Sequence, residues 1–269
     1  MRGCVREVMR SAMDFGSRNK FHIIFTSLND ESLETLSIII PCYNEENLVV
    51  RVLDKVIHTP LDYNLTREVI VVDDASTDRT FERLQEYAAG RVMIRLHRHP
   101  VNMGKGAAIR SGIAMVTGSI VVIQDADLEY DPKDYNRLLE PIMDGYADVV
   151  YGSRFMGQGP HRVLFFFHTM GNKLLTFLSN LFTQLNLTDM ETGYKMFRTD
   201  VLRRIRIREN RFGFEPEITA KMSRIPNIRI YETGIRYYGR TYKEGKKINW
   251  RDGLRAVYCI FRYNIFDRR

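Results

Sequence analysis

Five short apolar runs, each separated from the next by a helical pattern and most cut off by a polar cluster, set what this chain can fold into. Leu36-Ser37-Ile38-Ile39-Ile40 ends at Pro41, and Glu68-Val69-Ile70-Val71-Val72 ends at Asp73-Asp74. Val92 to Leu96 is the third run, Ser119 to Gln124 the fourth, stopped by Asp125, and Asp148 to Tyr151 the fifth. Short β-branched runs bounded this way predict buried strands. Between them, apolar residues recur at helical spacing from Glu45 to about His58, from Ser76 or Thr77 to about Ala89, over Gly104 to Val116 and over Asp134 to Asp144. Strands alternating with helices predict an α/β fold with a mostly parallel sheet covered on both faces. Such sheets bind ligands at the carboxyl ends of their strands. The polar clusters of this chain fall at those ends, which is the first pointer to function.

Past residue 155 the pattern changes. Val163 to Leu185 predicts a helix rich in aromatic and aliphatic residues, and Asp189 to Arg198 reads as a mixed polar and aromatic segment. Phe212 to Met222 predicts a turn into a helix, Arg229 to Tyr238 a strand, and Trp250 to Phe266 an amphipathic helix. Residues 1–35 lack periodicity and read as a poorly ordered N-terminal extension. The expected division is therefore 1–35, a main domain over 36–248, and a C-terminal amphipathic helix over 249–269.

Composition narrows the class. With 44% hydrophobic residues the chain is not disordered. Three scattered cysteines, Cys4, Cys42 and Cys259, make neither a disulfide framework nor a zinc-type spacing. No apolar run approaches the roughly 18 residues of a spanning helix. These features predict an intracellular, cytoplasmic protein without a membrane span. The net charge of +7 points to an anionic partner. No basic reader motif accompanies that charge, so nucleic acid is not expected.

The strongest chemical signal is Gln124-Asp125-Ala126-Asp127-Leu128-Glu129, directly after a strand. Alternate carboxylates at a strand end project to one side, and Mg²⁺ is usually held by one or two carboxylates plus substrate phosphate oxygens. The competing reading is a solvated acidic loop. Asp73-Asp74 ends the second strand, where a carboxylate can accept from a base or a ribose hydroxyl. Asp74 is the nucleotide candidate, and Ser76 is the expected helix cap. In Pro41-Cys42-Tyr43-Asn44-Glu45-Glu46, Tyr43 can stack on a base and Glu45 can accept from it. In Asn102-Met103-Gly104-Lys105-Gly106, glycines permit close approach of backbone to phosphate and Lys105 can neutralise it, although a tight helix entry needs the same glycines. Arg154, Arg240, Lys246 and Lys247 are further cations. The loop from Tyr238 to Lys247 reads as a glycine-flanked, phosphate-binding lid rather than a plain charged surface.

Taken in order, Ile-Ile-Ile-Pro-Cys-Tyr-Asn-Glu-Glu, Val-Val-Asp-Asp-Ala-Ser-Thr-Asp, Asn-Met-Gly-Lys-Gly and Asp-Ala-Asp resemble glycosyltransferase family 2 with the GT-A fold, over about residues 36–248. Gly152-Ser153-Arg154, Thr192-Gly193-Tyr194-Lys195-Met196-Phe197 and Phe214-Glu215-Pro216-Glu217 resemble the polyprenyl-phosphate sugar synthases within it, of the dolichyl-phosphate mannose synthase type. The resemblance implies a nucleotide-sugar donor, a polyprenyl-phosphate acceptor, Mg²⁺ or Mn²⁺, and inversion at the anomeric carbon. It implies that Pro41, Tyr43, Glu45 and Asp74 line the base and ribose pocket and that Asp125 contacts the nucleotide. Asp127 and Glu129 would hold the metal, and many relatives carry Gln in place of Glu129. Arg154 and Arg240 would hold phosphates, with Lys105 and Lys246 in support. Many relatives also carry C-terminal spanning helices, which this chain lacks, so the two aromatic and cationic helices are expected to give peripheral contact with the cytoplasmic face of a membrane. A phosphate acceptor needs no strong base, whereas a hydroxyl acceptor would need one, and Asp189 and Glu191 are the candidates. Two other readings are a soluble family 2 enzyme with a small polar acceptor and a non-catalytic nucleotide-sugar or membrane-surface binding protein.

Overall fold

A computed structural model describes residues 34–157, 162–163, 166–240 and 250–267. Strand β1 (Thr35–Cys42) is central, paired in parallel with β2 (Thr66–Asp73) on one side and β4 (Ile120–Ile123) on the other. The register sets Cys42 opposite Asp73, so β1 and β2 end together. The backbone confirms this edge: Asp74 N–H donates to the Cys42 carbonyl, and Gln124 N–H to that of Ile39. The polar clusters after three strands are thereby brought to one end of the sheet.

The full order is β3-β2-β1-β4-β6-β5-β7, with β3 Ile94–Arg98, β5 Val149–Ser153, β6 Lys195–Arg198 and β7 Ile230–Gly234. Only β6 runs antiparallel, between β4 and β5. Helices α1 (Val49–His58), α2 (Thr80–Ala88) and α4 (Tyr135–Met143) lie in the connections on one face. Helices α3 (Lys105–Met115), α5 (Phe166–Thr183), α6 (Thr199–Leu202) and α7 (Phe214–Met222) serve the other. Helix α8 (Trp250–Phe261), continued by a π-turn to Phe266, packs on α5 and α7. Both faces of β1 are apolar: Leu36, Ile38 and Ile40 enter one core and Ile39 the other. That two-sided burial is why the strand reads as a continuous apolar run.

Several expectations need correction. The third strand lies two residues later than its apolar start, because Arg91 and Ile94 close a turn after α2 and leave Val92 in solvent. The segment 189–198 contains β6, hidden from periodicity by a charged residue in its first position. Lys195 is wholly buried there, its ammonium donating to the carbonyls of Met190 (3.0 Å) and Thr192. Ser76 does not cap α2. Its hydroxyl accepts from Asn44 N–H at 2.9 Å, and Asp78 instead accepts from Thr80 N–H at 3.0 Å in the first turn.

Helix α5 has two apolar faces. Leu175, Leu178 and Phe182 pack into the core. Phe166, Phe167, Met170, Leu174, Phe177 and Leu181 are each at least half exposed. Their spacing of three and four residues places them on a single face. Leu254, Tyr258, Phe261 and Ile265 continue an exposed apolar stripe on α8 and its turn, and Phe182 meets Phe261 edge-on at 5.2 Å between the helices. Among the described residues no helix is long and apolar enough to cross a membrane.

Candidate active site

The end of β1 and the end of β2 are tied by reciprocal hydrogen bonds. Asn44, in the left-handed region at φ 50°, donates to Thr77 Oγ1 through its amide, and Thr77 N–H donates back to Asn44 Oδ1 at 2.8 Å. Asn tolerates that backbone better than most residues. Glu45 N–H donates to Thr80 Oγ1. Pro41 is buried in β1 opposite Val72, and Tyr43 stands half-buried just beyond the strand. Asp74 is buried and accepts from Met103 N–H at 2.8 Å, Gly104 N–H at 2.6 Å and His99 Nδ1 at 2.7 Å. It therefore pins the loop that enters α3. Gly104 has φ 100°, and a Cβ there would strike the Asn210 carbonyl at 2.4 Å, so the entry admits only glycine.

After β4 the acidic run turns outward at Leu128, whose φ is 61°. Arg240 reaches back over it. Its guanidinium lies 3.0 Å from Asp127 and 3.5 Å from Glu45, and its backbone N–H donates to Glu129 at 2.8 Å. Tyr237 donates to the other Glu129 oxygen at 2.8 Å. Burial, then Asp125 and Glu129, push the Asp127 carboxyl up to about 7 despite Arg240. Glu45, Asp127, Glu129 and Arg240 were expected in one site and are together in it. The expected partner of Arg240 was phosphate, and here it is a set of carboxylates.

Farther along the cleft, Lys105 Nζ bridges Asp125 at 2.9 Å and Glu215 at 3.2 Å. Its pKa is held up by those two carboxylates, which outweigh its burial. Gly193 makes room for this pair: a Cβ there would lie 2.4 Å from Asp125 Oδ2. Arg154 is held by Asp189 through two parallel bonds of 2.7 Å, and its backbone N–H adds a third at 3.0 Å. Its guanidinium also lies 5.2 Å from the centre of the Tyr237 ring. Burial and then Glu215 push Glu191 up to about 8, and burial pushes Lys195 down to about 8. Tyr237, Lys195 and the pairing of Lys105 with Glu215 were not anticipated from sequence, because each depends on a partner distant in the chain. Lys246 lies outside the described residues.

The model of the family described as Glycosyl transferase family 2 matches residues 37–206. The chain belongs to glycosyl transferase family 2. This glycosyltransferase is similar to two dolichyl-phosphate beta-glucosyltransferases of Trichomonas vaginalis. One is 30% identical over 91% of this chain and 77% of the relative, the other 27% identical over 92% and 78%. It is 27% identical to a dolichol-phosphate mannosyltransferase of Pyrococcus furiosus, over 85% of this chain and 64% of that one. In fold it is similar to glucosyl-3-phosphoglycerate synthase from Mycobacterium tuberculosis, solved with Mn²⁺, uridine diphosphate and phosphoglyceric acid. The TM-score is 0.67 at 19% identity, covering 87% of this chain and 80% of that one. The neighbouring fold is that of the GT-A glycosyltransferases, as expected for the family.

Proposed function

We propose that this glycosyltransferase moves one sugar from a nucleotide-sugar donor to the phosphate of a polyprenyl lipid, with Mg²⁺ or Mn²⁺ bound. The observation that carries the choice of acceptor concerns the two candidate bases. Asp189 is wholly buried and doubly bonded to Arg154, and burial, then Glu215, push the Glu191 carboxyl up to about 8. A hydroxyl acceptor would depend on one of these two carboxyls, whereas a lipid phosphate, with a second pKa of about 6, is already ionised and needs neither. The names of the similar proteins, which act on dolichyl phosphate, support the same acceptor.

The donor set fits a hard divalent cation. Asp127, Glu129 and the neighbouring Asp125 crowd negative charge until one carboxyl holds a proton to about pH 7, a condition that a cation relieves. Among the described residues no three acidic, histidine or cysteine side chains form a ready-made cage. That accords with Mg²⁺, which takes one or two carboxylates and completes its shell with substrate phosphates and water. Asp127 and Glu129 would hold it, and when bound it supplies charge stabilisation to the departing diphosphate. Pro41, Tyr43, Glu45 and Asp74 border the nucleotide, directly or by fixing the Asn102–Gly104 loop. Arg240 borders the diphosphate, and Arg154, held in place by Asp189, borders the acceptor phosphate. A lipid phosphate oxygen forms the new bond to the anomeric carbon while the sugar's bond to the diphosphate breaks. The bonding pair leaves with the nucleoside diphosphate, and the configuration inverts. No side chain has to remove a proton.

The lipid is presented from a membrane surface. The exposed apolar faces of α5 and α8 have Lys173 and Arg251 beside them, with Arg255 and Arg262 drawn to Glu209. An apolar face edged by cations suits an anionic bilayer interface. The test is a transfer screen with UDP-glucose, UDP-GlcNAc and GDP-mannose, with Mg²⁺ or Mn²⁺, with and without polyprenyl phosphate in detergent. Lipid-dependent release of one nucleotide, lost in Asp127→Ala, is expected. Equal release without lipid overturns the choice of acceptor, and transfer to a hydroxyl acceptor that rises with pH toward about 8 and then levels makes Glu191 the base.

A further inference from the structure

Among the described residues, three buried side-chain oxygens lack a hydrogen-bond partner: Glu191 Oε1, Thr192 Oγ1 and Glu215 Oε2. The other unpartnered atoms are guanidinium nitrogens of Arg67 and Arg240. Buried polar atoms are overwhelmingly paired, so unpaired ones concentrated in one region call for an explanation. Glu191 and Thr192 are neighbours on the turn before β6, and Glu215 opens α7. Glu215 shares Lys105 with Asp125, which stands two residues before Asp127. Ion pairs link Asp125 through Lys105 to Glu215, and Glu215 in turn acts on Glu191. A sugar joined to a diphosphate at Asp127 would meet this linked group.

We propose that Glu191 and Glu215, with Thr192 on the same turn, read the ring hydroxyls of the donor sugar. The inference rests on the reading of the site as a nucleotide-sugar transferase and adds to it the residues that choose the sugar. Hydrogen-bond donors, rather than more charge, are what these three oxygens lack. Two ammonium groups, Lys105 and Lys195, already stand among the carboxyls. A pyranose offers several O–H donors at fixed spacing. Glu191 is faced by Glu215 from α7, Lys195 from β6, and the buried pair of Arg154 and Asp189. With burial the dominant influence, it stays protonated at neutral pH and can both donate to and accept from a hydroxyl. Sites that hydrogen-bond a hydroxyl discriminate strongly, because a mismatched ligand leaves buried groups unpaired.

The test is calorimetric binding to the full chain with Mn²⁺ at pH 7, which needs no acceptor. UDP-glucose and UDP-galactose are compared with UDP, and GDP-mannose with GDP. The readout is the affinity that the sugar adds over the bare nucleotide. In the wild type one sugar is expected to add at least about tenfold, or ~1.4 kcal/mol. Glu191→Ala and Thr192→Val should erase most of that gain and narrow the glucose-to-galactose ratio, while UDP and GDP affinities stay within about twofold. Glu191→Gln, which keeps the shape of the protonated acid, should restore most of the preference, and Glu215→Gln should shift it between sugars. The proposal is overturned if the sugar adds nothing in the wild type. It is also overturned if Glu191→Ala lowers nucleotide and nucleotide-sugar affinity equally, the mark of a structural role. Failure of lipid transfer alone leaves this readout intact, so the two proposals fail separately.

Discussion

The two walls of the cleft hold their carboxylates in different ways. On the wall built by β1 and β2, Asp74 is held largely by the N–H groups of Met103 and Gly104 and Asp78 by that of Thr80, with Asp73 paired to the half-exposed Arg98. On the wall built around β6, the carboxylates meet side-chain cations: Asp189 with Arg154 and Glu215 with Lys105. Backbone amides are fixed once the loops are fixed, so the first wall is a rigid receptor. Buried ion pairs hold only while both members remain, and losing one strands the other in a medium that cannot solvate it. The first wall should therefore respond to mutation by modest loosening, and the second by large losses.

The largest effect is expected at Asp189. Replacing it with Ala leaves the buried Arg154 guanidinium without its two-point partner, and removal of one member of such a pair costs about 3–5 kcal/mol. Urea denaturation should show a loss of that order, together with loss of transfer. A loss below about 1 kcal/mol would show that the second wall does not depend on the pair. The counterpart is Asp74→Asn. One acceptor oxygen becomes a donor facing an N–H, and charge-assisted bonds to Met103 and Gly104 are lost, at about 1.5–3 kcal/mol. Nucleotide affinity should fall with it as the Asn102–Gly104 loop loosens. A penalty matching that of Asp189→Ala would erase the contrast between the walls.

The same contrast governs what could be read from sequence. The first wall was legible because its strands are continuous β-branched runs buried on both sides, and their in-register ends deliver Tyr43, Glu45, Asp74, Asp125 and Asp127 to one edge. The second was not, because β6 begins with a charged residue. Lys195 is tolerated only because two carbonyls and the Tyr151 ring, 4.9 Å away, surround its ammonium. Periodicity carries no record of such a partner. The pairing of Lys105 with Glu215 spans 110 residues, and nothing local to either announces it. Gly193 was a visible hint, since it stands inside a family pattern, but its cause is steric and shows only in the fold. Gly193→Ala should displace Asp125 and lower transfer about tenfold, an activation cost of ~1.4 kcal/mol, with a smaller change in the urea midpoint. Unchanged kinetics would remove Asp125 from the site.

The buried charges of the second wall should also leave a mark on the pH dependence of stability. Glu191 titrates near 8 in the folded chain, chiefly through burial, and in the ordinary carboxylate range when unfolded. Between those values the native state binds more protons than the unfolded one, so stability falls as pH rises through that window. Lys195, pushed down to about 8, acts in the opposite sense only above that pH. Asp127, raised to about 7, acts in the same direction as Glu191, so the readout is the difference between wild type and Glu191→Gln. The variant should show a shallower decline from pH 5 to 8, by at least about 1 kcal/mol, since a tenfold difference in proton affinity between the two states is worth ~1.4 kcal/mol. Parallel curves would mean that Glu191 is ionised throughout.

The smallest stability effect is expected where the molecule is most apolar on its surface. Leu174 and Phe177 are 57% and 62% exposed on the outer face of α5, away from Leu175 and Leu178, which pack into the core. Exposed side chains have little burial to lose, and surface substitutions usually fall within about 0.5 kcal/mol. Changing both to Ser should leave the urea midpoint nearly unmoved. Co-sedimentation with vesicles containing anionic phospholipid should fall severalfold, and raising the salt concentration should weaken it further in wild type and variant alike, because the bordering arginines and Lys173 remain. If binding to vesicles is unchanged, the apolar face does not meet the bilayer, and the lipid phosphate reaches Arg154 by another approach. If stability falls by several kcal/mol instead, the outer face of α5 is core rather than interface, and the contrast between a rigid receptor, an ion-paired wall and an open apolar face loses its third member.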